Sequence, residues 1–481
     1  MNYRYVIVGH PIENNMNPMK KKILLLFPLL TLMLFGLRVA AQQKWSLEKC
    51  INYAFENNLQ IKQSKLNALS SKEDLLQSKL NFLPSFNANA SQSTGWGRSI
   101  DMATYSYTNK RSNQAYGSLN ANLTLFNGLQ NVNNLRQKQF AYLAKKYNSE
   151  KIRDNIALNI AAAYLQILYN IEQVNNAKRQ VEISNKQIER TRKETEAGTV
   201  AKGSLLDIEA QGANDQVTLV NAQNKLMLAY LDLMQLLDLK GNTKFDIEKP
   251  SLEITQRPSL LPIQTIYDRA LQIRPEIKSA QYSVKAAGRS LAIAKGRRSP
   301  SLTLSSSYGE NYSDRIKASN NPTDPKFNEI KPFWDQMRDN RSVTLGFRLS
   351  IPILNGFQVS TYIKQSRISL ENANLNLEIQ KNNLRKNIEQ AYADALAAYQ
   401  TYIASHKSLV SLRESFKYAR EKFNVGMLSS TDYDVAKVKL FNAESNIIAA
   451  KYDYIFKTKV LDFYLGRSLS LKGIAKVNYT K

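Results

Sequence analysis

Cysteine is almost missing from this 481-residue chain: Cys50 is the only one. No intramolecular disulfide can form, so stability has to come from packing or assembly. Cys50 itself reads as a small residue on a helix rather than as a reactive thiol. Histidine is nearly as scarce, with only His10 and His406, which leaves little support for a metal centre or an imidazole acid or base. No Ser/His/Asp constellation, cluster of metal ligands or phosphate-binding glycine loop is present, so no catalytic residue, metal or cofactor is expected. Gly95-Trp96-Gly97 reads as part of a polar loop. Acidic residues are short in number: 40 Asp and Glu against 66 Lys and Arg give a net charge of +26. The cations are spread through helical runs rather than gathered into one patch, the pattern of a solvated face and not of a nucleic-acid site.

Long apolar runs are also lacking. The one candidate, Ile23 to Leu37, follows Met19-Lys20-Lys21-Lys22 and leads into Val39-Ala40-Ala41. It is shorter than the ~20 residues of a membrane span, and Pro28 interrupts it. A basic start, an apolar centre and a small-residue cleavage site describe an export signal over residues 1–41, with 1–18 as an upstream extension before Met19. Export argues further against a nucleic-acid partner.

What is present is a repeat. Asn127-Gly128 recurs as Asn355-Gly356, Ala163-Tyr164 as Ala391-Tyr392 and Gly198 as Gly426, each displaced by 228 positions (355 − 127, 391 − 163, 426 − 198). A repeat means that each half is one copy of a structural unit: residues 42–264, closing in a linker, and residues 265–481, closing in a short C-terminal tail. The runs 129–197 and 357–425 hold no Gly or Pro, so each reads as one helix of roughly 100 Å at ~1.5 Å per residue. Ile160, Ile167, Val174, Val181 and Ile188 recur every seventh residue, as do Ile388, Ala395, Tyr402, Leu409, Phe416 and Phe423. That spacing is the mark of helices supercoiled on other helices along their length. Shorter helices are expected over Trp45 to Leu83 and 203–239, and over Ile266 to Arg298 and 430–465; two of these end to end match one long helix.

Between short and long helix the period changes to two. Leu119, Ala121, Leu123 and Leu125 alternate with polar residues, and so do Val343, Leu345, Phe347, Leu349, Ile351 and Ile353. Weaker strands begin at Pro84 and Pro300, giving strand pairs at about 84–126 and 300–354. Pro84 and Pro300 stand 216 apart (300 − 84). The second pair therefore encloses an insertion, within Tyr308 to Arg341, that reads as an exposed loop. Strands of about ten residues suffice to cross an outer membrane when tilted. Four strands cannot close, and an open edge cannot sit in lipid, so the chain must oligomerise; a trimer supplies twelve.

Leu125-Phe126-Asn127-Gly128, Pro352-Ile353-Leu354-Asn355-Gly356, the Gly198 and Gly426 turns with a downstream Asp, and the two-half layout resemble the TolC-like outer-membrane efflux protein family. The resemblance covers nearly all of the chain after the signal. The family pattern often has Pro ahead of the junction, matched by Pro352 and replaced by Thr124 in the first half. The resemblance implies an α+β membrane protein of two structural repeats. It would be a homotrimer whose twelve-stranded β-barrel in the outer membrane continues as a periplasmic α-helical tunnel. It implies a passive conduit in efflux or type I secretion, not an enzyme. An inner-membrane pump of the RND, ABC or MFS type would supply energy and a periplasmic adaptor would join pump to tunnel. The alternative from the residues alone is a periplasmic coiled-coil adaptor or scaffold without a pore, which leaves the alternating strands unexplained.

The resemblance also assigns candidate sites. Strand-to-helix junctions fall at Asn127, Gly128, Pro352, Asn355 and Gly356, where Asn-Gly suits a tight turn tolerant of positive φ. Adaptor-contact tips fall at Gly198, Thr199, Val200, Gly426, Met427 and Leu428; the same glycines read equally as helix C-caps. Tunnel-entrance carboxylates fall at Asp432, Asp434 and Asp207, with Asp432 repeated by symmetry into a cation-selective ring. Acidic residues in a first helical turn are also what the helix dipole favours.

Overall fold

The computed structural model describes residues 44–100, 106–240, 245–250, 252, 254, 261–327 and 329–471. The expected signal, part of the linker and most of the C-terminal tail lie outside these. In chain order the elements are α1 (Leu47–Asn57), α2 (Leu59–Leu80), β1 (Ser85–Ile100), β2 (Tyr107–Phe126), α3 (Gln130–Glu196) and α4 (Lys202–Leu236). The second half has α5 (Ile263–Ile273), α6 (Pro275–Gly296), β3 (Ser301–Ser313), α7 (Phe333–Asp339), β4 (Ser342–Ser350), α8 (Gln358–Asn424) and α9 (Ser430–Tyr464). α3 and α8 are 67 residues each, and α4 and α9 are 35 each. Among the described residues no helix is long and apolar enough to cross a membrane.

The heptad stripe is where α3 meets its neighbours. Ile160, Ile167 and Val174 are buried, as are Ile388, Ala395, Leu409 and Phe416 on α8. Burying one such side chain contributes about 1.5–3 kcal/mol. The main core gathers around the middle of α3, where Leu47, Cys50 and Ala54 of α1 pack with Ile160, Tyr164 and Leu168. Tyr164 donates from its hydroxyl to the carbonyls of Trp45 and Glu248 at 3.1 and 2.7 Å, tying two distant segments to the long helix. Burial pushes the Cys50 thiol up to about 12, so it stays protonated.

The short helices stack end to end, but with a break that the sequence reading missed. The expected single helix from Trp45 to Leu83 divides at Asn58, whose side-chain oxygen accepts from the N–H groups of Gln60 and Ile61 and caps α2. Asn58 Nδ2 also donates to Leu236 O at 2.9 Å, and Leu59 N–H donates to Asp238 Oδ2 at 2.7 Å. The start of α2 is thus stitched to the end of α4. The expected helix from Ile266 to Arg298 begins at Ile263 and divides at Arg274, where Pro275 lacks the N–H that would continue it. Arg274 is buried, lies 3.9 Å above the Phe463 ring, and pairs with Asp154 and Glu276. The same joint is therefore made once by an amide and once by a guanidinium.

The sheet order is β1-β2-β3-β4, antiparallel throughout. Register sorts its faces. Ala88–Leu119–Tyr308–Val343 and Phe86–Ala121–Ser306–Leu345 are neighbouring rows of one face, continued by Leu123–Leu304–Phe347. The intervening rows, Asn87–Asn120–Ser307–Thr344 and Thr124–Thr303–Arg348, form a polar face.

Three strand expectations are corrected. β1 and β2 run 16 and 20 residues rather than about ten. Gly95-Trp96-Gly97 belongs to β1 and not to a loop, paired with Lys110 to Ser112. β4 ends at Ser350, so Ile351, Pro352 and Ile353 leave the ladder, since proline has no donor to continue it. The first half solves the same exit with a β-bulge between Thr124 and Phe126. The insertion between β3 and β4 is also no bare loop. Gln336 of α7 is fully buried, accepts from Ser313 N–H and donates to Lys331 O, while Phe333 packs on Tyr312.

Candidate functional site

The sequence-derived candidates fall at three levels along the long helices: the strand-to-helix junctions, the glycine tips, and the carboxylates just beyond the tips. At the junctions the positive φ values sit on Gly128 and Leu129 (66° and 60°) and on Gly356 and Phe357 (58° and 61°). The expectation that Asn takes part in the positive-φ pair is corrected. Asn127 and Asn355 precede it, and their carbonyls accept from Gln130 and Gln358 N–H to close each turn. Positive φ at both central residues gives a type I′ sense of turn. Gly128 is also crowded: a Cβ there would lie 2.3 Å from Gly296 O, whereas Gly356 has open space around it.

At the far ends Gly198 and Gly426 adopt φ of 77° and 74°. Their neighbours close the helices in one pattern: Thr199 N–H donates to Glu194 O, and Met427 N–H to Lys422 O, both at 2.9 Å. These are Schellman-type C-caps, and the cap accounts for the glycines without any partner. What capping does not account for is exposure of apolar residues beside them: Met427 is 75% and Val425 69% exposed. Thr199 is exposed, and Val200 and Leu428 are half-buried.

The three aspartates do not form one group. Asp432 is exposed, with its N–H donating to Ser429 Oγ at 3.1 Å and its carboxylate accepting from the same hydroxyl at 2.7 Å, an N-cap of α9. Asp207 is exposed on α4. Asp434 instead turns into the helix packing, 3.5 Å from Lys437 Nζ. Burial raises its carboxyl above the usual range, opposed by Lys437 and reinforced by the charges of Asp215 and Asp207. Of the three expected entrance carboxylates, Asp434 is thus the one engaged by a lysine within the helix packing.

Lys437 itself is a residue that sequence reasoning missed. It is only 4% exposed and donates to Ser184 Oγ at 3.0 Å and Asp215 Oδ2 at 3.2 Å. Ser184 donates in turn to Asp215, whose other oxygen accepts from Gln211 at 3.0 Å. The cluster joins α3 and α4 of the first repeat to α9 of the second. Ser184 lies 14 residues (198 − 184) before the tip glycine, about 21 Å along the helix. The repeat offset hid it: 228 positions away stand Leu412, Ala443 and Glu209, which share none of its chemistry. The only local signal was the three-residue spacing of Asp434 and Lys437. Nearer the tip, Arg190 donates to Asn424 Oδ1 and O at 2.5 and 3.2 Å, and Tyr433 stacks on Phe423 at 4.6 Å.

A rod of paired long helices ending in glycine turns, joined to a sheet with one apolar and one polar face, is the architecture of a membrane conduit wall. The model of the outer membrane efflux protein family matches residues 50–238 and 266–467, and the chain belongs to that family. Outer membrane efflux protein BepC of Brucella suis is 21% identical over 415 residues, covering 86% of this chain and 84% of that protein. Outer membrane protein TolC of Vibrio cholerae is 23% identical over 330 residues, 68% of this chain and 70% of that one. Among solved structures, CusC superposes with a TM-score of 0.72 at 19% identity, covering 88% of this chain and 92% of its own. The Campylobacter jejuni CmeC outer membrane channel gives 0.72 at 18%, covering 87% and 85%. Membership places the protein among outer-membrane channels, not enzymes, and decides for a channel over a scaffold without a pore.

Proposed function

We propose that the chain is one third of a passive channel-tunnel: a homotrimer with a twelve-stranded barrel in outer-membrane lipid and a helical tunnel through the periplasm. It serves efflux or type I secretion with a periplasmic adaptor and an inner-membrane pump. The exposed apolar tips at Val425 and Met427 are the adaptor contacts of this reading, and Asp432 is its entrance carboxylate.

The observation that carries the assembly is an interface that occurs once where the repeat calls for it twice. Within the chain, α3 packs on α6 of the other repeat. Phe140 and Tyr147 stack on Tyr282 at 6.2 and 5.5 Å, and Lys285 lies over Phe140 and Tyr282. Carried along by offsets of 228 and 216, these four positions become Ile368, Leu375, Leu66 and Leu69. Ile368, Leu375 and Leu66 are 61%, 53% and 64% exposed, and Leu69 is exposed with them. The α8 face and the α2 face are thus apolar surfaces awaiting each other, and within one chain they do not meet. The contact closes when α8 of one copy packs on α2 of the next. The unpaired edges of β1 and β4 point to the same arrangement, because they cannot remain open in lipid.

The test is to extract the full chain from outer membranes in mild detergent and follow its migration with and without heating. The wild-type chain is expected as an oligomer of three that dissociates only on heating, and Ile368→Asp as a folded monomer. A soluble wild-type monomer overturns the proposal, as does an undiminished oligomer in Ile368→Asp.

A further inference from the structure

The polar face of the sheet has a one-sided charge. From Ser85 to Ser350 its cross-strand rows carry no Asp or Glu; its only cations are Lys110 and Arg348. The opposite face holds Phe86, Leu119, Leu123, Leu304, Phe347 and their neighbours over about 25 Å, the height of the lipid-facing band of an outer-membrane barrel. An apolar band has to meet lipid, so the polar face lines the lumen.

The two cations do not share a level. Arg348 stands in the row Thr124–Thr303–Arg348, two residues from the end of β4 and so ~7 Å above the base of the sheet. Lys110 lies 14 residues (124 − 110) further along β2, about 48 Å away and past the apolar band. At the base, Arg348 is exposed among Thr and Ser neighbours, and no carboxylate shares its face.

We propose that Arg348, repeated around the symmetry axis, forms a ring of guanidinium groups where barrel meets tunnel. This ring makes the barrel lumen selective for anions and a binding level for multivalent ones carrying carboxylate or phosphate groups. The inference rests on the trimeric barrel proposed above. A guanidinium stays charged at any physiological pH and presents a fork of donors that matches such groups. Among the described cross-strand rows of this face no acidic residue stands beside it to neutralise it. Its field extends over a Debye length of about 8 Å at physiological salt, so it acts on solutes that pass near the wall. Cargo leaving through this barrel would be favoured when anionic, the opposite of what Asp432 favours at the entrance.

Planar-bilayer recording of the purified full chain tests this. Under a KCl gradient, Arg348→Gln is expected to lower the anion-to-cation permeability ratio at least about twofold, and Arg348→Glu to lower it further. Arg348→Lys, which keeps the charge, should retain the wild-type ratio. Tripolyphosphate added from the barrel side should block wild type at concentrations at least about tenfold lower than Arg348→Gln. Heat-dissociated oligomer in each sample confirms assembly. Equal permeability ratios and equal block in wild type, Arg348→Gln and Arg348→Glu overturn the inference while leaving the conduit intact. A wild-type chain that forms neither oligomer nor conductance overturns the conduit reading itself.

Discussion

The two repeats have the same skeleton and unequal surroundings. α3 and α8 match residue for residue in length, and their flanking turns share φ values within ten degrees. Yet eighteen residues of α3 are buried against eight of α8. The difference lies in the neighbours: α3 packs on α1, α2 and α4 of its own repeat and on α6 and α9 of the other, whereas α8 packs only on α5, α6 and α9 of its own. Equal helices with unequal burial are what the proposed assembly predicts, with another copy covering α8. The contact between the repeats also carries chemistry that the repeat does not duplicate, since Lys437, Asp215 and Ser184 have no counterparts at the offset of 228.

Removing that chemistry should separate the two repeats most. Lys437→Met leaves Asp215 and Asp434 buried without their cation, at a cost of about 3–5 kcal/mol. Glu209→Gln, at the position 228 residues before Lys437, breaks an exposed pair with Arg192 between α3 and α4 and should cost no more than about 1 kcal/mol. Thermal melts of the detergent-solubilised protein compare the two directly; similar midpoints would mean that the buried cluster does not hold the repeats together.

The paired junction glycines offer a smaller contrast. Gly128→Ala combines left-handed backbone with a collision against Gly296 O, together about 2–5 kcal/mol. Gly356→Ala meets nothing within the chain and should show only the backbone cost of ~1–2 kcal/mol. If Gly356→Ala proves the more damaging in the oligomer, the space beside it is occupied by the neighbouring copy as tightly as Gly296 occupies the first junction.

The smallest effect is a dependence on pH, of opposite sign in two aspartates. Asp434 has a raised pKa, chiefly from burial, with Lys437 opposing and Asp215 and Asp207 adding. Its contribution to stability is fully present below the unfolded value near 4 and is lost as pH rises through the higher folded value. Asp394 on α8 has a lowered pKa through its bonds to Lys457 and Gln390, so its contribution is present above the unfolded value and lost as pH falls through the folded one. Asp434→Asn should therefore stabilise at neutral pH and be silent in acid, while Asp394→Asn should destabilise at neutral pH and be silent in acid. Melting midpoints across pH 3 to 8 read both.

Much of this was legible in the chain because it was local. The stretches without Gly or Pro became α3 and α8, and the alternation around Leu119 and Leu345 became one face of the sheet. The break at Asn58 was not legible. Its cap competes with an otherwise continuous helical pattern, and the outcome depends on Leu236 and Asp238, which are about 180 residues away. The length of β1 was missed because Gly95 and Gly97 are turn residues by preference, and only pairing with β2 keeps them in the ladder. Among the candidate site residues, the tip glycines were visible through their spacing, but the sequence could not separate exposed Asp432 from engaged Asp434. Two residues apart on a helix they face different ways, and packing decides which meets Lys437.

By itself, then, the sequence determined the repeat, the two long helices and the two-faced strands, and it raised the proposal of more than one copy. These follow from periodicity, from residues with restricted backbone angles, and from the rule that strand edges cannot face lipid. Only the tertiary structure decided which helix faces meet within the chain, that Lys437 lies buried between the repeats, and that Arg348 is the one cation at the base of the polar face. Those facts depend on register and on contacts between residues far apart in sequence, which no local pattern records.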